Sequence, residues 1–185
     1  MVRTPSTMVE LGTEAPEFTL TDVISGSKIS LKHYQGLHAT VIMFICNHCP
    51  YVKHVNHELT RLANDYQPKG VNFIAINSND VENYPDDSPL HMIQTAKENN
   101  YSFPYLFDET QEVARAYQAA CTPDFYVFDD QLKLVYRGQL DDSRPGNTIK
   151  PDGSSIRSAL DSLLAGEPVS KDQKPSLGCN IKWKE

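Results

Sequence analysis

The chain has 185 residues, a length that fits one domain and is long enough to bury a sizeable core. It carries 17 Lys and Arg against 24 Asp and Glu, and the net charge of −7 argues against nucleic acid or an anionic membrane surface as the main partner. No run approaches the roughly 18 apolar residues of a membrane-spanning helix, and the first residues lack the apolar stretch of a secretory signal. We therefore expect a cytoplasmic protein, in which four cysteines do not form a disulfide scaffold.

The hydrophobic periodicity changes several times along the chain and predicts an α/β layered domain with a mixed central sheet. Residues 40–45 and 71–76 are unbroken apolar, β-rich runs, typical of strands buried on both faces. Between them, apolar residues recur at steps of three and four from Cys49 until Pro68, which predicts a helix. The other expected elements are a loose arm over 1–10, a hairpin of 16–20 and 28–31, a helix over 88–100, a strand over 105–107, a helix over 110–119, a hairpin of 125–128 and 133–136, and a helix over 153–165.

Cys46-Asn47-His48-Cys49-Pro50 is a Cys-x-x-Cys motif that lies between an expected buried strand and an expected helix. In a cytosolic chain this arrangement is a strong redox signal. Two sulfurs at a helix start can close a small disulfide ring, and the unpaired N–H groups of the helix N-terminus stabilise a thiolate. The alternatives are half of a zinc site or two inert thiols. A structural zinc site usually needs a second ligand pair, and the sequence has no second Cys-x-x-Cys.

Three stretches together resemble the redoxin branch of the thioredoxin superfamily, which includes AhpC/TSA-type peroxiredoxins and thioredoxin-like thiol oxidoreductases. They are Cys-Asn-His-Cys-Pro-Tyr-Val-Lys at 46–53, Arg-Gly-x-x-Asp-Asp-Ser-Arg-Pro-Gly-Asn at 137–147 and Gly-Cys-x-Ile-Lys-Trp at 178–183. The resemblance implies a thioredoxin-like three-layer α/β/α fold with a mixed central sheet and an N-terminal β-hairpin extension. We expect this redoxin domain over residues 9–167, followed by a C-terminal tail over 168–185.

The resemblance also implies roles for the motif residues. Cys46, the first cysteine, is expected to be the more exposed one and therefore the nucleophile, and Cys49 is expected to resolve the mixed disulfide. His48 would either tune the reduction potential by stabilising a nearby thiolate or face solvent without a redox effect. Pro50 completes the motif at the helix start.

Thr122-Pro123 stands where thioredoxin-fold proteins carry a cis-proline facing the catalytic cysteines, which would present backbone groups to an extended substrate chain. Two features of the superfamily are missing. No Asp or Glu lies between Leu37 and Ile45, where thioredoxin keeps a carboxylate as a proton relay. The Thr and Arg with which peroxiredoxins polarise peroxide are absent from their expected positions, which favours thiol–disulfide exchange over peroxidase activity.

Three more residues are candidates for the site, each with an open alternative. Cys121 abuts Thr122 and either lies near the active sulfurs or is a small buried hydrophobe. Arg144 either reaches over the site or belongs to a polar surface turn. Cys179 lies in a tail that we expect to be mobile, so it is either a third exchange partner or an incidental thiol beside an anchoring Trp183.

The sequence therefore predicts a thiol–disulfide oxidoreductase with a Cys46–Cys49 redox pair, no cofactor and no metal. The alternatives are a thiol peroxidase that reduces hydroperoxides as an antioxidant, and a module that binds a soft metal such as zinc or copper. The expected partners are a protein or small-molecule disulfide, or a peroxide, as substrate and a thiol as reductant, with no nucleic acid and no membrane. The sequence does not indicate the oligomeric state.

Overall fold

The fold is described by a computed structural model that covers residues 3–185, which form ten strands and five α-helices. The strands are β1 (Arg3–Pro5), β2 (Thr19–Asp22), β3 (Lys28–Ser30), β4 (Ala39–Phe44), β5 (Val71–Asn77), β6 (Tyr105–Phe107), β7 (Cys121–Thr122), β8 (Asp124–Asp129), β9 (Leu134–Gly138) and β10 (Leu177–Asn180). The helices are α1 (Leu31–Tyr34), α2 (Pro50–Tyr66), α3 (Pro89–Glu98), α4 (Glu112–Ala116) and α5 (Ser154–Leu164). None of the helices within residues 3–185 has the length and apolar character needed to cross a membrane.

The central sheet has the strand order β3-β2-β6-β5-β4-β8-β9, with β4, β5 and β6 parallel and the outer pairs antiparallel. Every residue of β4 is buried because both faces of the sheet are covered. Val41 and Met43 pack with α2, α3 and α5, whereas Ile42 and Phe44 pack with α1 and α4 on the other side. The predicted three-layer fold with a mixed sheet and an N-terminal hairpin, here β2 and β3, is confirmed.

A second, smaller sheet with the order β1-β10-β7 joins the two ends of the described chain. Residues 1 and 2 of the expected loose arm lie outside the described residues, but β1 is an ordered strand paired with β10, so the expectation is wrong for residues 3–5. The tail likewise contains β10 and is not a mobile coil up to that point. The division into a domain over 9–167 and a tail over 168–185 stays a prediction.

A buried ion pair joins β8 to β9, and its acidic residue directly follows Pro123 in the sequence. Arg137 donates from Nη2 to Asp124 Oδ2 at 2.8 Å, both side chains are fully buried, and the guanidinium carbon lies 4.1 Å from the centroid of the Tyr126 ring. Ser6 donates from its hydroxyl to the second Asp124 oxygen at 2.8 Å. Burial raises the pKa of Asp124, and Arg137 opposes that shift. Through the hydrogen bond from Ser6, this ion pair also connects the main sheet to the segment that follows β1.

We expect Arg137→Met to lower the free energy of unfolding by about 3–5 kcal/mol, because it leaves the buried Asp124 carboxylate without its counter-ion. The paired replacement Arg137→Met with Asp124→Leu should cost less than the single one. Lys133→Ala, which breaks the exposed contact of Lys133 with Glu14, is the matched control and should change stability by at most about 1 kcal/mol. Urea denaturation measures all three, and a double replacement costlier than the single one would contradict the interpretation.

Candidate active site

The two motif cysteines occupy the connection between β4 and α2. Cys49 is the N-cap residue of α2, and Pro50 is its first residue, where the missing N–H of proline is not needed. Cys46 lies three positions earlier, outside the helix, and is 1% exposed. The positive end of the helix therefore lies at Cys49, so the expected position of Cys46 at the helix start is wrong for this structure. Exposure does not distinguish the two cysteines, since Cys49 is 0% exposed.

Cys49 is bonded to Cys179 and not to Cys46. The Cα atoms of Cys49 and Cys179 are 6.3 Å apart, within the usual range for a disulfide. Among residues 3–185, Cys46 and Cys121 are the two unbonded cysteines. The predicted Cys46–Cys49 disulfide is thus replaced in this structure by a bond to the tail, because β10 carries Cys179 into register with Thr122.

Three of the four cysteines, Cys46, Cys49 and Cys179, meet at Thr122. The Thr122–Pro123 peptide bond is cis, as the resemblance implied. The Thr122 hydroxyl lies 3.3 Å from the Cys46 sulfur, and the Thr122 carbonyl oxygen lies 3.4 Å from the Cys49 sulfur. Since Cys179 stands opposite Thr122 in the small sheet, one residue lines the positions of three sulfurs.

Burial dominates the acidity of the Cys46 thiol. Desolvation, followed by the negative charge of Asp87, raises the pKa of Cys46 to about 12. The Thr122 hydroxyl and the backbone N–H of Cys49 oppose this rise but do not outweigh it. At neutral pH Cys46 is therefore a protonated thiol that needs a proton acceptor before it can attack a disulfide.

A buried carboxylate that the sequence did not reveal lies beside Cys46. Asp87 is 0% exposed and accepts hydrogen bonds from His48 Nδ1 at 2.5 Å, the Asn47 backbone N–H at 2.8 Å and Asn79 Nδ2 at 2.8 Å. Burial alone would raise the pKa of Asp87, but these bonds hold it below its usual value, so Asp87 is ionised. The Cys46 sulfur, a His48 ring nitrogen and an Asp87 oxygen lie within 4.8 Å of one another.

The same three groups offer a thiolate, an imidazole and a carboxylate to a metal ion. Asp87, however, already accepts bonds from Asn47, Asn79 and His48, so a metal would have to displace the His48–Asp87 bond. The remaining cysteine of the motif, Cys49, is held by Cys179. The donor set in this form of the protein therefore suits proton transfer better than tetrahedral zinc binding.

The tail adds a cation to this region. Lys182 is 7% exposed, and its ammonium donates to the Asn180 backbone carbonyl at 2.6 Å and to the Asn180 side chain at 3.0 Å. Desolvation lowers the pKa of Lys182, whereas Cys46 and Asp87 act in the opposite direction. Lys182 belongs to the Gly178–Trp183 stretch, and no spacing in the sequence places its charge at the site.

Two other candidates take no part in the sulfur cluster in this structure. Cys121 is buried, burial raises its pKa, and its sulfur lies 3.7 Å from the carbonyl oxygen of Pro123. Arg144 donates to the backbone carbonyl of Asp141 at 2.7 Å and to Gln139 Oε1 at 2.6 Å, so it braces its own loop. The surface-turn alternative thus describes Arg144 better than a role above the cysteines.

A Cys-x-x-Cys motif between a central strand and a long helix, facing a cis-proline in a three-layer fold, defines the class of thioredoxin-fold proteins. Within that class, residues 11–137 match the model of the AhpC/TSA family. The chain belongs to the AhpC/TSA family, which confirms the resemblance.

Comparison with individual proteins supports the same placement. A crystal structure of an uncharacterised conserved protein from Geobacillus kaustophilus is 65% identical, covers 100% of this chain and 97% of its own, and superposes with a TM-score of 0.98. Thiol-disulfide oxidoreductase ResA of Bacillus thuringiensis subsp. konkukian (strain 97-27) is 26% identical over 69% of this chain and 68% of its own length. A crystal structure of a putative thiol:disulfide interchange protein DsbE from Chlorobium tepidum shares the fold, with a TM-score of 0.68, 17% identity and coverage of 85% of this chain and 99% of its own.

We expect mild oxidation to give one peptide pair that contains Cys49 and Cys179, while Cys46 and Cys121 stay unbonded and alkylate slowly at pH 7. Because the pKa of Cys46 is raised to about 12, its alkylation rate should keep rising with pH without levelling off between pH 8 and 10. Non-reducing peptide mapping and pulsed alkylation measure these outcomes, with the guanidinium-unfolded chain as the control for full labelling. A dominant Cys46–Cys49 peptide would contradict the structure.

Proposed function

We propose that the protein is a thiol–disulfide oxidoreductase in which Cys49 exchanges with the substrate and Cys46 resolves the mixed disulfide. The observation that carries the proposal is the meeting of three sulfurs at Thr122, with Cys49 oxidised and Cys46 free beside it. The name of the ResA relative supports the same reaction class. The roles of Cys46 and Cys49 are thus the reverse of those that the sequence suggested.

Cys49 is the better exchanging sulfur for electrostatic and geometric reasons. It caps a helix of 17 residues, whose N-terminal N–H groups stabilise a thiolate. Its partner Cys179 is carried by β10, which pairs with β7, so a foreign cysteine on a strand paired in the same way can reach Cys49. Cys46 is as buried as Cys49 but lacks the helix start, which suits a thiol that acts second.

The proposed reaction has two stages: the thiol reductant reduces the protein, and the protein then reduces the substrate disulfide. Two equivalents of a thiol reductant open Cys49–Cys179, and the reductant leaves as its own disulfide. The Cys49 thiolate attacks the substrate disulfide, forms a mixed disulfide and expels one substrate thiolate. Cys46 then attacks the Cys49 sulfur, releases the second substrate thiolate and leaves Cys46–Cys49, so two electrons have passed to the substrate.

A third, internal exchange regenerates the observed state. The Cys179 thiolate attacks Cys49 in the Cys46–Cys49 disulfide, forms Cys49–Cys179 and returns Cys46 as a thiol, with no net change in oxidation state. In this cycle the disulfide seen in the structure is the resting oxidised form. Cys179 is then a third exchange partner, which was one of the two alternatives for this residue.

The Asp87–His48 pair supplies the proton acceptor that Cys46 requires. Asp87 is ionised and binds Nδ1–H of His48, so the pair can take the Cys46 proton as its sulfur attacks. The Asp87 carboxylate thus takes the role of the proton relay that thioredoxin carries on the strand before the motif and that β4 lacks here. It comes instead from the short 3-10 helix Pro85–Asp87 that precedes α3.

A polar cleft with a volume of about 390 Å³ opens on the His48 side of the site. Its lining includes Asn47, Lys53, Asn56 and His91. These hydrogen-bonding groups and the Lys53 ammonium suit a small polar thiol better than an apolar ligand. We propose this cleft as the approach of the thiol reductant.

The peroxidase alternative has less support. The Thr122 hydroxyl does lie beside Cys46, but the guanidinium groups of Arg137 and Arg144 are engaged by Asp124 and by the Arg144 loop. Without a guanidinium at the thiol, peroxide lacks the stabilisation of its developing charge. The cytoplasmic location stays a prediction.

Single-turnover exchange with hydroxyethyl disulfide tests the proposal on the reduced full-length chain. We expect the double variant Cys46→Ser with Cys179→Ser to stop at a mixed disulfide on Cys49, because neither neighbouring thiol remains to resolve it. Cys49→Ser should lose exchange, and Cys179→Ser alone should retain one turnover. Mass spectrometry locates the adduct, and an adduct on Cys46 in the Cys49→Ser variant would reverse the assignment. Faster thiol loss with hydrogen peroxide than with the disulfide would favour the peroxidase.

In a Cys179→Ser background, where only Cys46 can resolve the mixed disulfide, we expect Asp87→Asn to slow release of the substrate thiol from Cys49 by about a hundredfold at pH 7, because the proton acceptor is lost. The same change removes the negative charge that raises the pKa of Cys46, so the deficit should shrink as the pH rises toward 10. Asp86→Asn, which alters the exposed neighbour, is the matched control and should keep the normal rate. A loss that is equal at all pH values would indicate a purely structural role for Asp87.

A further inference from the structure

The tail strand β10 is the middle strand of the small sheet, between β1 and β7, and its β7 side lies beside the site. It runs antiparallel to β7, with Cys179 opposite Thr122 and Asn180 opposite Cys121. The pairing continues with a hydrogen bond from the Ile181 N–H to the Ala120 carbonyl at 3.1 Å. An extended peptide bound in this way gains its affinity from main-chain bonds and its specificity from individual side-chain positions.

The residue before the tail cysteine has no room for a side chain. A Cβ atom at Gly178 would overlap the carbonyl group of Thr122 and press on the nitrogen of Pro123. These are backbone atoms, so they cannot move aside as a flexible side chain would. The constraint is one of space, since Gly178 is not among the glycines with positive φ.

The residue two places after the cysteine fills an apolar position. Ile181 is 1% exposed and packs in the cluster that contains Phe44 and Tyr126. On the other side of the cysteine, Ser176 donates to the Pro123 carbonyl at 2.6 Å. The site therefore accepts a strand with the sequence pattern glycine, cysteine, any residue, apolar residue.

We propose that the tail is the resident occupant of a polypeptide-binding groove, and that the substrate is an extended chain carrying glycine-cysteine-x-apolar, with its cysteine in a disulfide. This inference rests on the proposed function and adds the substrate class to it. When a thiol reductant opens Cys49–Cys179, β10 remains bound only by non-covalent contacts. A foreign strand of the same pattern then takes its place and brings its sulfur to Cys49.

The redox chemistry of the exchanged strand follows the proposed cycle. The Cys49 thiolate bonds to the cysteine of the foreign strand and displaces the thiolate that was its disulfide partner. Cys46 then forms Cys46–Cys49 and releases the foreign cysteine as a thiol. The tail competes throughout because it belongs to the same chain and has a high effective concentration.

The test uses three disulfides with the reduced full-length chain. Two are the peptides Ser-Leu-Gly-Cys-Asn-Ile and Ser-Leu-Ala-Cys-Asn-Ile, each with its cysteine bonded to mercaptoethanol, and the third is hydroxyethyl disulfide. We expect the glycine peptide to react at least about tenfold faster than the alanine peptide. Equal rates for the two peptides, alongside normal reduction of hydroxyethyl disulfide, would overturn this inference and leave the proposed function intact. Failure with all three disulfides would overturn the proposed function itself.

A variant of the chain tests the competition. Gly178→Ala should prevent β10 from docking, so the glycine peptide should react several-fold faster than with the unaltered chain, while Lys171→Ala, an exposed change in the same tail, should leave the rate unchanged. Circular dichroism confirms that the variants are folded. If Gly178→Ala does not fold, the peptide comparison on the unaltered chain still decides, and a folded Gly178→Ala with an unchanged rate contradicts the role of the tail.

Discussion

The backbone pairing of β10 with β7 is the contact on which the rest of the site depends. It places Cys179 against Cys49, in the buried cluster that also contains Cys46, and brings Lys182 toward Asp87. Because desolvation is the largest influence on the acidity of Cys46, covering or uncovering this region changes the chemistry of the thiol as well as its accessibility. One short strand thus determines which disulfide forms and how readily the remaining thiol ionises.

The charges around Cys46 and Cys49 give the two thiols different acidities and therefore different roles. The start of α2 favours the thiolate of Cys49, whereas burial and the ionised Asp87 keep Cys46 protonated. A site with two equally acidic thiols would hold two adjacent negative charges in its reduced form. Here one sulfur is prepared to attack, and the other is activated only when a proton can leave toward the Asp87–His48 pair.

The sequence predicted the parts of the structure that depend on local patterns. Long apolar runs and helical spacing located β4, β5 and α2, and the Cys-x-x-Cys motif located the site between them. Asp87 could not be predicted, because it follows Asn47 by 40 residues and reaches the motif only through the packing of the sheet. The strands β1 and β10 are three and four residues long and contain Pro5 and Gly178, so no alternation marks them as strands. The bond between Cys49 and Cys179 depends on that pairing and could not be deduced from spacing alone.

The disulfide between Cys49 and Cys179 also spans 130 positions of the chain. In the unfolded state, a cross-link over such a loop removes conformational entropy equivalent to about 5 kcal/mol, a large share of the stability of an ordinary domain. Reduction of this disulfide therefore lowers the stability of the whole fold and not only of the region around the site. By thermodynamic linkage, folding favours this disulfide by the same free energy with which the disulfide favours folding, so the bond is harder to reduce in the folded chain than in the unfolded one.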